Sequence, residues 1–180
     1  MTTANKLTLR RMALIPVFLG VLYAGFPGSR YVALGVFIVA SLTDMLDGYI
    51  ARHYNQITNF GKFMDPLADK VLVMAAMCYF VEIGRMPGWA LAVVLLREFA
   101  VSGMRLVAVE QGRVIAAAWS GKVKTASTMV CLCLMMLLTE SWMPIPRTLN
   151  VLCVFIIVGT TAYSGVEYFV KNRDVFKDVD

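Results

Sequence analysis

The sequence predicts an all-α protein that crosses a lipid bilayer six times. Three observations predict it. Hydrophobic residues make up 59% of the 180-residue chain and charged ones only 16%, against about 25% charged in an average soluble domain. Apolar runs recur along the whole length, each near the ~20 residues that a spanning helix needs. Turn chemistry separates them, as "PGSR" at 27–30, "GRMPG" at 84–88 and "MPIPR" at 143–147. A chain this apolar excludes a water-soluble globule of its size, and its length suggests a single domain over residues 1–180.

The first span, Met12–Phe26, is short. A short amphipathic segment through "NKLTLRR" extends it toward the N-terminus along the membrane surface. No small-residue site closes the run, so no cleavable signal peptide is expected. The second span covers Tyr31–Arg52 and the third Asp65–Ile83. Pro66 favours a third helix that begins there with Asp65 as its N-cap, unless the helix starts earlier. The fourth span, Trp89–Val109, carries Arg97, Glu98 and Arg105 among apolar residues. Glu98 and Arg105 lie seven apart, which makes them candidates for pairing. The fifth, Ser120–Thr139, opens on Lys122 and Lys124, and the sixth is Thr148–Val170. The tail "KNRDVFKDVD" reads as a frayed, solvated end. Trp89, Trp119 and Trp142 stand at span ends, as interface anchors do. Cys78, Cys131, Cys133 and Cys153 lie inside apolar runs and read as small hydrophobes, and His53 is the only histidine, which excludes a multi-histidine metal site.

Basic residues set the orientation. Lys6, Arg10, Arg11, Arg52, Lys62, Arg113, Lys122, Lys124, Lys171, Arg173 and Lys177 fall on one side, eleven against the three of Arg30, Arg85 and Arg147. By the positive-inside rule both termini are cytoplasmic.

Four aspartates break the apolar pattern. Asp44 and Asp47 follow thirteen uncharged residues, roughly 20 and 24 Å along the second span from Tyr31. A carboxylate in the cytoplasmic half of a bilayer costs roughly 2.5–3.5 kcal/mol unless it meets water, a cation or a partner. Asp44, Asp47, Gly48 and Ala51 stand at i, i+3, i+4 and i+7, one helical stripe. Gly48 weakens a helix by about 1 kcal/mol relative to alanine, a penalty tolerated where a ligand or backbone approaches closely. Arg52 follows near the surface, placed to meet a phosphate. Gly61, Asp65 and Asp69 form a second stripe at i, i+4 and i+8. The loop "HYNQITNF" makes these two helices antiparallel neighbours, so the four carboxylates are expected to share one cytoplasmic cavity. Four acids so close need cations. Oxygen donors without His or Cys favour Mg²⁺, Mn²⁺ or Ca²⁺, and a bridged metal pair suits phosphate chemistry. Structural pairing with Arg52, Lys62 and Lys70 is the alternative, but it leaves the glycines unexplained.

These residues complete a signature, Asp-x2-Asp-Gly-x2-Ala-Arg-x8-Gly-x3-Asp-x3-Asp, with every fixed position filled. It resembles that of the CDP-alcohol phosphotransferases, integral membrane enzymes of six transmembrane helices that are usually dimeric. "NKLTLRRMALIP", "REFAVSGMRLVAVEQG" and "SGKVKT" extend the likeness over nearly the whole chain. They resemble the bacterial branch of that family that uses CDP-diacylglycerol and glycerol 3-phosphate. The resemblance implies that Asp44, Asp47 and Asp65 bind two divalent cations, Mg²⁺ or Mn²⁺, that hold the donor diphosphate. It implies that Asp69 is the general base and touches the second cation. Gly48 and Ala51 leave room for cytidine, Arg52 approaches the diphosphate, and Gly61 belongs to the same donor site. Asn5, Thr8 and Arg11 are expected to line the nucleotide entrance, with a basic interfacial helix as the alternative. The implied partners are CDP-diacylglycerol, glycerol 3-phosphate, membrane lipids and a second copy of the chain, not nucleic acid. The implied location is the bacterial cytoplasmic membrane.

An acceptor phosphate calls for a basic pocket. Arginines at the depth of Arg97 and Arg105 are functional-site candidates by default. A guanidinium fork with ammonium groups suits a phosphate monoester. The resemblance selects Arg97, Arg105 and Lys122 for that phosphate, with Lys124 and Thr125 beside them. Anchoring in anionic headgroups is the alternative for the two lysines. Two other functions stay open on the sequence: a family member with inositol phosphate or serine as acceptor, and a divalent-cation transporter, since intramembrane acids also mark ion pathways.

Overall fold

A computed structural model describes the backbone of residues 3–53, 59–113, 115–116, 118–138 and 147–176, and side chains within 12–43, 70–113, 115–116, 118–138 and 148–175. Among the described residues the chain is all-helical: α1 Thr3–Tyr23, α2 Ser29–His53, α3 Asn59–Glu82, α4 Gly88–Glu110, α5 Trp119–Leu137, α6 Arg147–Lys171 and a 3₁₀ turn at Arg173–Phe176. One described helix, Thr148–Lys171, is long and apolar enough to cross a membrane, with a mean hydropathy of 1.8, and the shorter stretches Met12–Tyr23 and Ser29–Thr43 are also apolar.

Three boundaries differ from expectation. α1 runs without a break from Thr3, so it begins earlier through "NKLTLRR" as expected, but it ends at Tyr23 and not Phe26, two residues before Gly25 at φ +65°, a conformation that stops a helix. α3 begins at Asn59, so Asp65 is not an N-cap and Pro66 lies inside the helix range. Apolar helices tolerate such prolines because neighbouring groups satisfy the freed backbone. The tail is not frayed as far as Val175, which is buried, and the Gln111 side-chain amide donates to its carbonyl at 3.1 Å. An apolar side chain and one hydrogen bond hold this turn down.

The chain packs as two compact units, residues 1–79 with 136–144, and residues 80–135 with 145–180. In the first, α1 packs on α2. Ile15, Phe18 and Leu22 of α1 and Ala33, Phe37 and Ala40 of α2 are buried, with the Phe18 and Phe37 rings 5.7 Å apart. Ser41 and Thr43 return their hydroxyls to the carbonyls of Phe37 and Val39 at 2.8 and 2.7 Å, which hides two polar groups in an apolar helix.

In the second unit α4 packs on α6. Val101, Met104 and Ala108 of α4 bury against Tyr168 and Val175. Gly112, at φ +72°, ends α4, and the Arg113 amide closes the turn onto the Ala108 carbonyl at 2.8 Å. Several polar residues join the largely apolar core, and large apolar side chains are exposed. Lys124, Thr128, Asn150, Thr161 and Ser164 are buried, while Leu96, Phe99, Leu106 and Phe155 are each more than 60% exposed. Cys131 and Cys153 are buried as expected of small hydrophobes, whereas Cys78 is exposed. Trp89 and Trp119 lie in the first turns of α4 and α5 and are exposed, and Trp142 lies outside the described residues.

Candidate active site

The candidate site residues fall into two groups, one in each unit. In the first, α2 buries Ala33, Phe37 and Ala40, at i, i+4 and i+7. Continued along the same helix toward His53, that register reaches Asp44, Asp47, Gly48 and Ala51. α3 buries Leu72 and Ala76. Followed back toward Asn59, their register passes Asp69, Asp65 and Gly61. Both helices are continuous through these positions, so each aspartate pair stands in the register of its helix's buried face. The side chains of Asn5, Thr8, Arg11, Asp44, Asp47, Gly48, Ala51, Arg52, Gly61, Lys62, Asp65 and Asp69 lie outside the described residues, and so does the expected convergence of the four carboxylates. The donor set fits a hard divalent cation: two helical registers carry only carboxylate donors, with no thiolate or imidazole among them.

In the second unit the basic residues are not equivalent. The Glu98 carboxylate is the centre of a buried cluster. Its Oε1 accepts from Arg97 Nη1 at 3.0 Å and from Lys124 Nζ at 2.7 Å. Arg97 Nη2 donates to Ser164 Oγ at 2.6 Å, so the guanidinium ties α4 to α6, while Lys124 ties α5 to α4 through the Glu98 carboxylate. All three charged side chains are at most 13% exposed. Two cations on one carboxylate leave a surplus positive charge, and buried charge is tolerated only where it is paired. Small residues make the approach possible. A Cβ at Gly165 would stand 3.3 Å from Arg97 Cγ, and one at Gly121 would stand 3.5 Å from Arg97 Nη2.

Arg105 lies two turns further along α4 and is exposed. Its partner is Tyr168, not Glu98: Arg105 Nε donates to the Tyr168 hydroxyl at 3.0 Å. Lys122 is exposed, and Thr125 turns its hydroxyl back to the Gly121 carbonyl at 3.0 Å.

The model described as CDP-alcohol phosphatidyltransferase matches residues 1–164. This chain belongs to the CDP-alcohol phosphatidyltransferase family. The match takes in both units. Family relatives align over nearly all of it. A Bacillus subtilis (strain 168) protein named CDP-diacylglycerol–glycerol-3-phosphate 3-phosphatidyltransferase is 40% identical over 185 residues, covering 96% of each chain. A Mycobacterium tuberculosis (strain H37Rv) protein named probable phosphatidylglycerophosphate synthase is 37% identical, covering 96% of this chain and 82% of its own. A Salmonella typhimurium (strain LT2) protein with the first of these names is 36% identical over 93% of this chain and 92% of its own.

For a member of this family, the described residues divide the predicted acceptor group. Arg97 and Lys124 come together on Glu98, while Arg105 and Lys122 stand outside that cluster with exposed side chains. Sequence reasoning overlooked Ser164, Gly165 and Tyr168. A signal was present: Thr161, Ser164 and Tyr168 stand at i, i+3 and i+7 in an otherwise apolar helix, and all three are buried.

Proposed function

We propose that this chain transfers the phosphatidyl group of CDP-diacylglycerol to the primary hydroxyl of sn-glycerol 3-phosphate, giving phosphatidylglycerol phosphate and CMP. The observation that carries the reading is the complete eight-position signature on two continuous helices, its aspartates in the registers of their buried faces, within a chain alike over nearly its whole length to relatives bearing that enzyme name.

The acceptor hydroxyl oxygen attacks the β-phosphorus of the donor. The bond from that phosphorus to the oxygen shared with CMP breaks, and CMP leaves with the electron pair. Asp69 takes the hydroxyl proton. Asp44, Asp47, Asp65 and Asp69 would hold two divalent cations, Mg²⁺ or Mn²⁺, which when bound neutralise the diphosphate charge. The rest is positioning. Gly48 and Ala51 leave space for the cytidine, Gly61 belongs to the same donor site, and Arg52 takes a diphosphate oxygen. Asn5, Thr8 and Arg11 line the nucleotide entrance. Arg105 and Lys122 bind the acceptor phosphate directly. Arg97, Lys124 and Thr125 complete that site, the first two as the cationic cluster whose surplus charge favours an anion.

The same reading sets the chain in the bacterial cytoplasmic membrane as one domain of six spans, with both termini and the site on the cytoplasmic side, working as a homodimer. The exposed apolar side chains and buried polar ones support a lipid setting. The test is CMP release by purified protein given CDP-diacylglycerol, Mg²⁺ or Mn²⁺, and one acceptor from a panel of glycerol 3-phosphate, inositol phosphate and serine. Release with glycerol 3-phosphate alone is expected. Release only with another acceptor would overturn the assignment.

A further inference from the structure

The Tyr168 hydroxyl is buried on α6, yet it meets an exposed arginine of α4. Its ring is wedged into the core formed by Val101, Met104 and Ala108, which flank Arg105 on α4. The Arg105 guanidinium carbon stands 5.5 Å from the ring centroid, and Nε donates to the hydroxyl at 3.0 Å. The anchor is rigid: α4 and α6 are packed together, and Gln111 ties the end of α4 to Val175 beyond α6.

A guanidinium offers a phosphate two forks, one through Nε and a terminal amine, the other through both terminal amines. Tyr168 occupies Nε. Among the described residues the terminal amines of Arg105 have no protein partner. From this geometry we infer that Tyr168 is a positioning residue. It holds Arg105 end-on, so that the acceptor phosphate is received by the two terminal amines and by no other edge of the guanidinium. The inference rests on the assignment of Arg105 to the acceptor phosphate. It adds a specificity element, because an arginine free to rotate loses orientation entropy each time a phosphate binds.

Tyr168→Phe removes one oxygen and keeps the ring. Steady-state kinetics on the purified full chain with CDP-diacylglycerol and Mg²⁺ is expected to show the KM for glycerol 3-phosphate raised about 2- to 10-fold, the range set by one net hydrogen bond. The kcat at saturating acceptor and the KM for the donor are expected to stay within about twofold. Placed on an Arg105→Lys background, Tyr168→Phe is expected to add nothing, since lysine has no Nε–H for the hydroxyl to hold. A purely structural tyrosine would lower thermal stability equally on both backgrounds and leave the KM alone, which overturns the inference. If Arg105→Ala raises the acceptor KM while Tyr168→Phe does not, the positioning role fails and the site assignment survives. If Arg105→Ala leaves that KM unchanged, both fail together. Tyr168→Met, which fills the core without a hydroxyl, repeats the measurement should the phenylalanine variant not purify.

Discussion

Asp69 and Glu98 are both carboxylates within apolar helices, and different roles are proposed for them. Asp69 occupies the register of a helix face that carries a second carboxylate and a glycine, and it is the proposed general base. Asp69→Asn is expected to lower CMP release by at least about 100-fold, the lower end of a general base's contribution. Asp44→Asn is expected instead to raise the Mg²⁺ concentration needed for half-maximal rate. Titrating Mg²⁺ against rate for both variants separates the roles, and identical profiles would remove the distinction. Glu98 is buried between Arg97 and Lys124. Glu98→Gln leaves two cations facing each other out of water, a change of roughly 3–5 kcal/mol when a buried pair is broken. A clear fall in melting temperature in detergent is expected, together with a weaker acceptor KM. An unchanged melt would mean that the cluster is hydrated and unimportant to the fold.

At the scale of elements, the glycines of α5 and α6 let helices close on Arg97. The two positions differ by a small distance with a large consequence. A Cβ at Gly121 makes ordinary contact at 3.5 Å, whereas one at Gly165 presses on Arg97 Cγ at 3.3 Å. Gly121→Ala is therefore expected to keep most activity, and Gly165→Val to displace the arginine and raise the glycerol 3-phosphate KM several-fold. Equal tolerance of both in the same assay would show that Arg97 moves freely. The elements were legible in sequence because apolar periodicity and turn residues mark a helix locally. The six described helices fall close to the six expected spans. The errors came at ends. Asp65 followed by Pro66 imitates a helix start, but α3 had already begun at Asn59. Val175 reads as part of a charged tail, yet it finds a hydrophobic seat that no local pattern announces.

For the whole molecule, the surplus of basic residues on one side argues that both termini face the cytoplasm. Reporter fusions at the N-terminus and at the C-terminus are expected to report a cytoplasmic location in bacterial cells, and opposite locations would require an odd number of spans. Activity of the purified protein is expected to disappear with EDTA and to return with Mg²⁺ or Mn²⁺ but not with Na⁺. Loss that no divalent cation restores would argue against metal held by the aspartates.

By itself the sequence determined the helical class, the spacing of the four aspartates and their small neighbours, and which basic residues are candidates for an anion. Periodicity and fixed spacing are local properties of a chain, and a helix converts them directly into shared faces. The tertiary structure alone decided which cations were already spoken for. Glu98 takes Arg97 and Lys124, and Tyr168 takes one edge of Arg105 across 63 positions of chain. Such pairings depend on which helices meet and at what depth, and no spacing along the sequence records that.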